Sequence, residues 1–179
     1  MRLLLLAAFF AVPLAHAQSG EAFVQQADIV LSAEVDEAIA SGATADEALA
    51  RALVGAPESS NVAVVDQRGA GNVVRMLQDG TGNLASVVLA GAFNQLDLVQ
   101  AGRDNVFVGD IVGDGNRLVN SSQLGDGNSY SLFLEGVNGT THSLYQVGDD
   151  NAAVQYVGPG LLPASIEQRG GAEVTIVRR

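Results

Sequence analysis

The chain has 179 residues, with 20 acidic against 9 basic side chains, a net charge of −11, 21 glycines, 5% aromatics, no tryptophan and no cysteine. Without cysteine no disulfide can brace it, and so acidic a chain argues against nucleic acid as a partner. It is also short of the large side chains that usually fill a globular core, so a thin core between closely stacked strands suits it better. The charge fits a soluble precursor that must avoid early association.

Residues 1–17 read as a secretory signal peptide. Arg2 supplies the positive start, Leu3 to Leu14 the apolar centre, and Ala15-His16-Ala17 a cleavage site, which places the start of the mature chain at Gln18. Pro13 interrupts the apolar run, which falls short of the roughly 20 residues a membrane span needs. No other stretch of the sequence is long enough for one.

Residues 18–60 are poor in glycine and rich in Ala, Glu and Asp. Thr44-Ala45-Asp46-Glu47 is a capping box. Behind it Ala48, Leu49, Ala52 and Leu53 make an apolar helical stripe, and Gly55 and Pro57 end it. The pattern predicts a helix over 45–54, with a weaker one around 27–40. The segment reads as a helical, acidic cap or linker, or as a recognition segment for export.

From Asn61 the sequence repeats. Aligning on the residue after each glycine turn gives Asn61, Asn72, Asn83, Asn94, Asn105, Asn116, Asn128, Gly139, Asn151, Leu162 and Glu173, at spacings of 11 or 12. Eight of these eleven positions are Asn, which chance does not produce. Positions two and four after the Asn are mostly apolar, as in Ala63 and Val65, Val74 and Met76, Ala85 and Val87, Leu96 and Leu98, Ala164 and Ile166. A period of two means strand. Turns such as Arg68-Gly-Ala-Gly71 and Asp79-Gly-Thr-Gly82 follow, where glycine supplies positive φ. The fixed period predicts that each strand stacks on its counterpart one full turn later, as in a solenoid.

The position before each turn sets the size of that turn. It alternates between Gln and, after Gln67, an aliphatic residue, so the true repeat is a pair of units, 22 or 23 residues long in all. Five rungs result: 61–82, 83–104, 105–127, 128–150 and 151–172, then a half-strand from Val174 to Val177. At the spacing of strands this makes a block roughly 24 Å tall. The fold class is all-β, a β-solenoid of strand–turn–strand–turn rungs behind a signal peptide and a short helical segment. Stacking predicts four columns. Gln78, Gln100, Gln123, Gln146 and Gln168 form a Gln ladder. Leu89, Ile111, Leu134 and Val157 form an aliphatic column under Gln67. Asn61, Asn83, Asn105, Asn128 and Asn151 form one Asn ladder. Asn72, Asn94 and Asn116 form a shorter one, broken at Gly139 and Leu162. A side-chain amide both donates and accepts, so identical amides about 4.8 Å apart can bond along a stack. The two twelve-residue units predict a bulge or a longer turn.

The unit Gln67-Arg-Gly-Ala-Gly-Asn72, repeated as Gln78-Asp-Gly-Thr-Gly-Asn83, Gln100-Ala-Gly-Arg-Asp-Asn105 and Gln146-Val-Gly-Asp-Asp-Asn151, resembles the curlin repeat, Q-x-G-x-x-N followed by an alternating strand. The resemblance covers about 61–177. It implies a secreted bacterial subunit of curli, the functional amyloid fibres of biofilms. It also implies self-association by templated growth, other curlin-type subunits including a nucleator, and an outer-membrane export apparatus as partners. In this chain alternate strands carry Leu, Ile or Val where curlin strands carry Gln, and the end Val174-Thr-Ile-Val-Arg-Arg179 is similar to the basic tail of the nucleator subunit.

Other chemistry is sparse. Beyond the leader His142 is the single histidine, no cysteine is available as a nucleophile, and no His/Asp set accompanies the serines. No catalytic residue, cofactor site or metal site is expected. Asp79, Asp110, Asp114, Asp126, Asp149 and Asp150 invite comparison with calcium-binding β-rolls, but the period is eleven rather than nine. The competing reading is a capped, non-polymerising solenoid that acts as an adhesin on a surface or polymer. An enzyme on a β-helix needs clustered acids or bases and long loop insertions, which this sequence lacks.

Overall fold

In the computed structural model the described residues are 21–25, 61–160 and 164–178. They form twelve strands: β1 (Glu21–Gln25), β2 (Val62–Arg68), β3 (Val73–Thr81), β4 (Leu84–Ala90), β5 (Gln95–Arg103), β6 (Val106–Val112), β7 (Arg117–Leu124), β8 (Ser129–Glu135), β9 (Thr141–Val147), β10 (Ala152–Val157), β11 (Ser165–Arg169) and β12 (Glu173–Arg178). Odd-numbered strands make one six-stranded sheet in the order β1-β3-β5-β7-β9-β11, and even-numbered strands the other, β2-β4-β6-β8-β10-β12. Strand pairing is parallel in both sheets. Each strand therefore lies on the one a full coil later. About five coils stack as a β-solenoid, as the 22-residue period predicts.

The two sheets face each other across a core one side chain deep per strand. Val74, Leu96 and Leu118 line the odd sheet, and Ala85, Phe107 and Tyr130 the even one. Size is traded between neighbouring positions. Gly109 leaves room for Phe107, because a Cβ on Gly109 would lie 2.9 Å from that ring, and Phe107 in turn packs on Tyr130 with ring centroids 5.7 Å apart. The outward valines at Val62, Val64 and Val108 are buried rather than exposed, while Val73, Val106 and Phe133 are half-buried. Among the described residues the exposed large apolar side chains are Phe93 and Val112 in the earlier coils and Tyr145, Tyr156 and Val177 in the later ones.

Of the two twelve-residue units the first carries the predicted bulge, while the second has its extra residue one unit earlier than the spacing places it. In the first, Leu96 pairs with Leu118 and Leu98 with Ser121, so Val119 and Asn120 together face one residue and make a bulge. Asn120 takes a left-handed φ of 53° there. In the second the extra residue sits in the turn after β8. Arg117 pairs with Thr141, which puts Thr140, not Gly139, opposite Asn116. The alignment residue of that unit is thus corrected by one. The reason is that Val137 has turned into the core, where it is 1% exposed. A second correction falls at the end: Ala152 pairs with Glu173, so Ala172 rather than Glu173 completes the column.

The N-terminal segment departs from expectation in the part that is described. Residues 21–25 form β1, a strand laid parallel on β3, with Ala22 opposite Val74 and Val24 opposite Met76. Helical patterning misses it because Phe23-Val24 favours a strand once a sheet edge is available to pair with. The signal peptide at 1–17 and the helices predicted around 27–40 and over 45–54 lie outside the described residues.

Turn glycines are demanded by contact as well as by φ. A Cβ on Gly91 (φ 127°) would lie 2.0 Å from the carbonyl oxygen of Gly113 on the next coil, whereas one on Gly139 (φ 66°) would meet nothing within 4 Å. Gly139→Ala should therefore lose only the left-handed penalty, about 1–2 kcal/mol. Gly91→Ala must also push two coils apart and should lose about 3–4 kcal/mol. Chemical denaturation of the two variants measures the difference, and equal losses would contradict backbone stacking at the turns.

Candidate functional site: the amide ladders

Each ladder glutamine stands on the odd sheet and reaches across the core. Gln78 Nε2 donates to Val62 O at 3.1 Å, Gln100 to Leu84 O at 3.0 Å, Gln123 to Val106 O at 2.9 Å, Gln146 to Ser129 O at 2.9 Å and Gln168 to Ala152 O at 2.8 Å. Each acceptor is the first residue of the even-sheet strand in the same coil. The amide thus ties the two sheets where the chain leaves a turn. The same nitrogen also donates along the stack, Gln78 to Gln100 Oε1 at 2.8 Å, Gln100 to Gln123 at 2.8 Å, Gln123 to Gln146 at 2.9 Å and Gln146 to Gln168 at 2.7 Å. The five predicted residues form one continuous buried ladder.

The asparagines hold the other corners. Asn83 Nδ2 donates to Asn61 Oδ1 at 3.1 Å, Asn105 to Asn83 at 2.9 Å, Asn128 to Asn105 at 2.9 Å and Asn151 to Asn128 at 2.8 Å. Each Oδ1 also accepts the backbone N–H of the next Asn, at 3.0 Å for Asn83 on Asn61. In the first three coils Nδ2 has a further target, the carbonyl of a turn glycine one coil on, from Asn61 to Gly80 O at 3.0 Å, Asn83 to Gly102 O at 3.0 Å and Asn105 to Gly125 O at 2.8 Å. The shorter ladder behaves alike from Asn72 to Asn94, 3.1 Å apart. Asn116 then donates to Val137 O at 2.6 Å, and Thr140 Oγ1 caps Asn116 Oδ1 at 3.0 Å. The hydroxyl replaces the missing amide.

The two kinds of ladder run in opposite senses. From amide to amide, glutamine donates to the glutamine of the later coil and asparagine to the asparagine of the earlier one. This leaves the ends of the stack unlike. Gln78 is fully buried, and among the described residues its Oε1 finds no donor. At the other end Gln168 Nε2 donates to Ala152 O and Ala172 O, with no further glutamine beyond it. The aliphatic column is intact as predicted: Leu89, Ile111, Leu134 and Val157 are buried in the even sheet, with Gln67 at their head.

The aspartates serve the turns. Asp114 Oδ1 accepts the N–H of Ala92 at 2.7 Å, and Asp149 Oδ1 that of Asp126 at 2.9 Å, each from one coil away. Asp126 takes the Arg103 N–H on one oxygen and the guanidinium Nε and Nη2 on the other. These bonds hold its carboxyl below the usual carboxylate value. Among the described residues no three His, Asp or Glu gather closely enough to hold a metal ion. No helix there is long and apolar enough to cross a membrane.

Residues outside the predicted columns also matter. His142, Gln155 and Tyr130 form a second buried polar group in the last coils. Their signal was a break in the inward apolar pattern, since His142 stands opposite Leu118 and Gln155 opposite Leu132. No protein-family model, curated protein or solved structure matches the chain.

Removing one amide from the middle of the Gln ladder tests whether it is structural. Gln100→Leu leaves Gln123 Oε1 buried without its donor and should cost about 1–3 kcal/mol despite the added apolar surface. Ile111→Leu in the aliphatic column should cost less than about 1.5 kcal/mol. Denaturant midpoints of the two variants make the comparison.

Proposed function

We propose that the chain is a secreted structural subunit of curli-type amyloid fibres, assembled by stacking coil on coil, and not an enzyme. The observation that carries this reading is the mismatch between the ends. A buried acceptor stands open at Gln78, and the donor series stops at Gln168. A second copy that takes the place of β1 on β3 continues the glutamine ladder in the sense it already runs. Strands β11 and β12 at the C-terminal end are edges of parallel sheets, and unpaired edges template further strands. The Q-x-G-x-x-N units support the same reading through their resemblance to curlins. That resemblance also brings an extracellular, cell-surface location, a role in cell adhesion and biofilm, and export across an outer membrane with other curlin-type subunits.

One observation favours the alternative of a capped, surface-binding adhesin. Strand β1 lies on β3 and so occupies the first edge of the odd sheet. Two experiments separate the readings. The chain from Gln18 to Arg179, incubated alone and with preformed seeds, should give thioflavin-positive fibres with reflections near 4.8 and about 10 Å. A chain that stays monomeric for days and ignores seeds would refute the fibre reading. Deleting 18–60 should leave fibre formation in place if the chain is a subunit, and should turn a stable monomer into an aggregating one if it is a capped adhesin.

A further inference from the structure

Inside the last coils a chain of hydrogen bonds runs through side chains that belong to neither ladder. Tyr130 Oη donates to Gln155 Oε1 at 2.9 Å. Gln155 Nε2 lies 2.9 Å from His142 Nδ1, and the backbone N–H of Ala164 also points at Nδ1, at 3.4 Å. His142 Nε2 lies 3.1 Å from Thr140 Oγ1, whose own hydrogen goes to Asn116 Oδ1 at 3.0 Å. Tyr130 and His142 are 1% exposed and Gln155 is 0% exposed.

These contacts set the protons. Nδ1 faces two N–H donors, so it must accept, and the ring proton sits on Nε2 and is donated to Thr140. A second proton on Nδ1 would meet the Gln155 amide nitrogen and the Ala164 N–H head-on. Turning the Gln155 amide over would accommodate it, but would take the acceptor from Tyr130. The ring has no compensating charge. Facing it are Leu118 from β7, Tyr130 from β8, Gln155 from β10 and Ala164 before β11, none of them ionised at neutral pH, and Arg178 from β12, which carries the same sign as an imidazolium. Among the described residues no carboxylate hydrogen-bonds to the ring.

We propose that His142 is an acid-sensitive lock on the C-terminal coils, in which a second ring proton opens the packing of β9 to β12 while the coils built from β2 to β7 stay closed. Burial pushes the His142 pKa below its ordinary value, and Arg178 adds to the effect. The unfolded chain, with a histidine pKa of about 6.5, therefore binds the proton first. Stability is complete above that value and falls as pH drops below it, until the depressed folded value is reached. The device does not depend on what the solenoid assembles with, because it is read on the folded chain itself.

The test uses the chain from Gln18, in which His142 is the single histidine. Its imidazole should stay neutral by NMR at pH 6, where an unstructured histidine is mostly protonated. Lowering the pH from 7 to 5 should remove hydrogen-exchange protection, corrected for intrinsic rates, from β9 to β12 before β2 to β7. The all-apolar variant Tyr130→Phe/His142→Leu/Gln155→Leu keeps the shared carboxylates and removes the ring. Its unfolding constant should change up to tenfold less per pH unit across that window, the effect of one proton. A ring that titrates at or above about 6.5 in the folded chain would overturn the proposal, and so would uniform loss of protection along the stack. If the variant does not fold, the NMR and exchange measurements on the native chain decide alone.

Discussion

A carbonyl turned toward the core at a tight corner needs a donor, and the corner asparagine of the neighbouring coil supplies it. The rest of the solenoid depends on that bond. Gly102 O and Gly125 O are examples, each accepting an Asn Nδ2 from one coil away. Without such a donor every coil would bury unsatisfied backbone, at roughly 1–3 kcal/mol each. The same amide then accepts the N–H of the next asparagine, so satisfying one corner sets the height of the next. Stacking at a fixed spacing, and hence parallel sheets in register, follows from it. The glycine three residues before an asparagine follows too, since a Cβ on Gly69, Gly80, Gly91 or Gly102 would strike the carbonyl of the next coil.

The glutamines solve a different problem. Parallel strands bonded only to their own sheet leave the two sheets free to slide over the apolar core. A glutamine from the odd sheet bonded to the first carbonyl of an even strand removes that freedom in each coil. One column of glutamine suffices for this, and the matching column in the even sheet is aliphatic: Leu89, Ile111, Leu134 and Val157.

Most of the fold was legible in the sequence because the period carried it. The coil boundaries, inward positions and ladder members follow from spacing alone, and the structure shifts two alignment residues by one. Those shifts arise where local packing outvotes the count. Val137 enters the core and pushes Thr140 into the asparagine site, and the last unit loses a residue before β12. Strand β1 was hidden for another reason. Its Ala22-Phe-Val24 matches Ala63-Val-Val65 and Ala85-Ser-Val87, but a lone Gly20 stands where those units have asparagine, and the helical pattern downstream dominates the segment. The His142 cluster was hidden because each member breaks the apolar pattern only once, on three different strands. Stacking alone shows that the breaks meet.

A solenoid has neighbours only above and below, so its stability is local. Along the axis the interior is not uniform. The middle coils are filled by Phe107, Ile111, Leu118 and Leu132, all fully buried. The last ones replace apolar contacts with a polar chain that must be completely bonded to be tolerated. One outward column also opens toward that end, with Tyr156 and Val177 exposed where Val88 of the same column is buried. At the first edge β1 adds a further strand of pairing to β3. The C-terminal coils therefore form the less stable end, and it is the end where the glutamine ladder stops with a donor rather than an acceptor. Any partner that binds there, a second copy included, supplies pairing to the coils with the least of their own and stabilises them by its own binding.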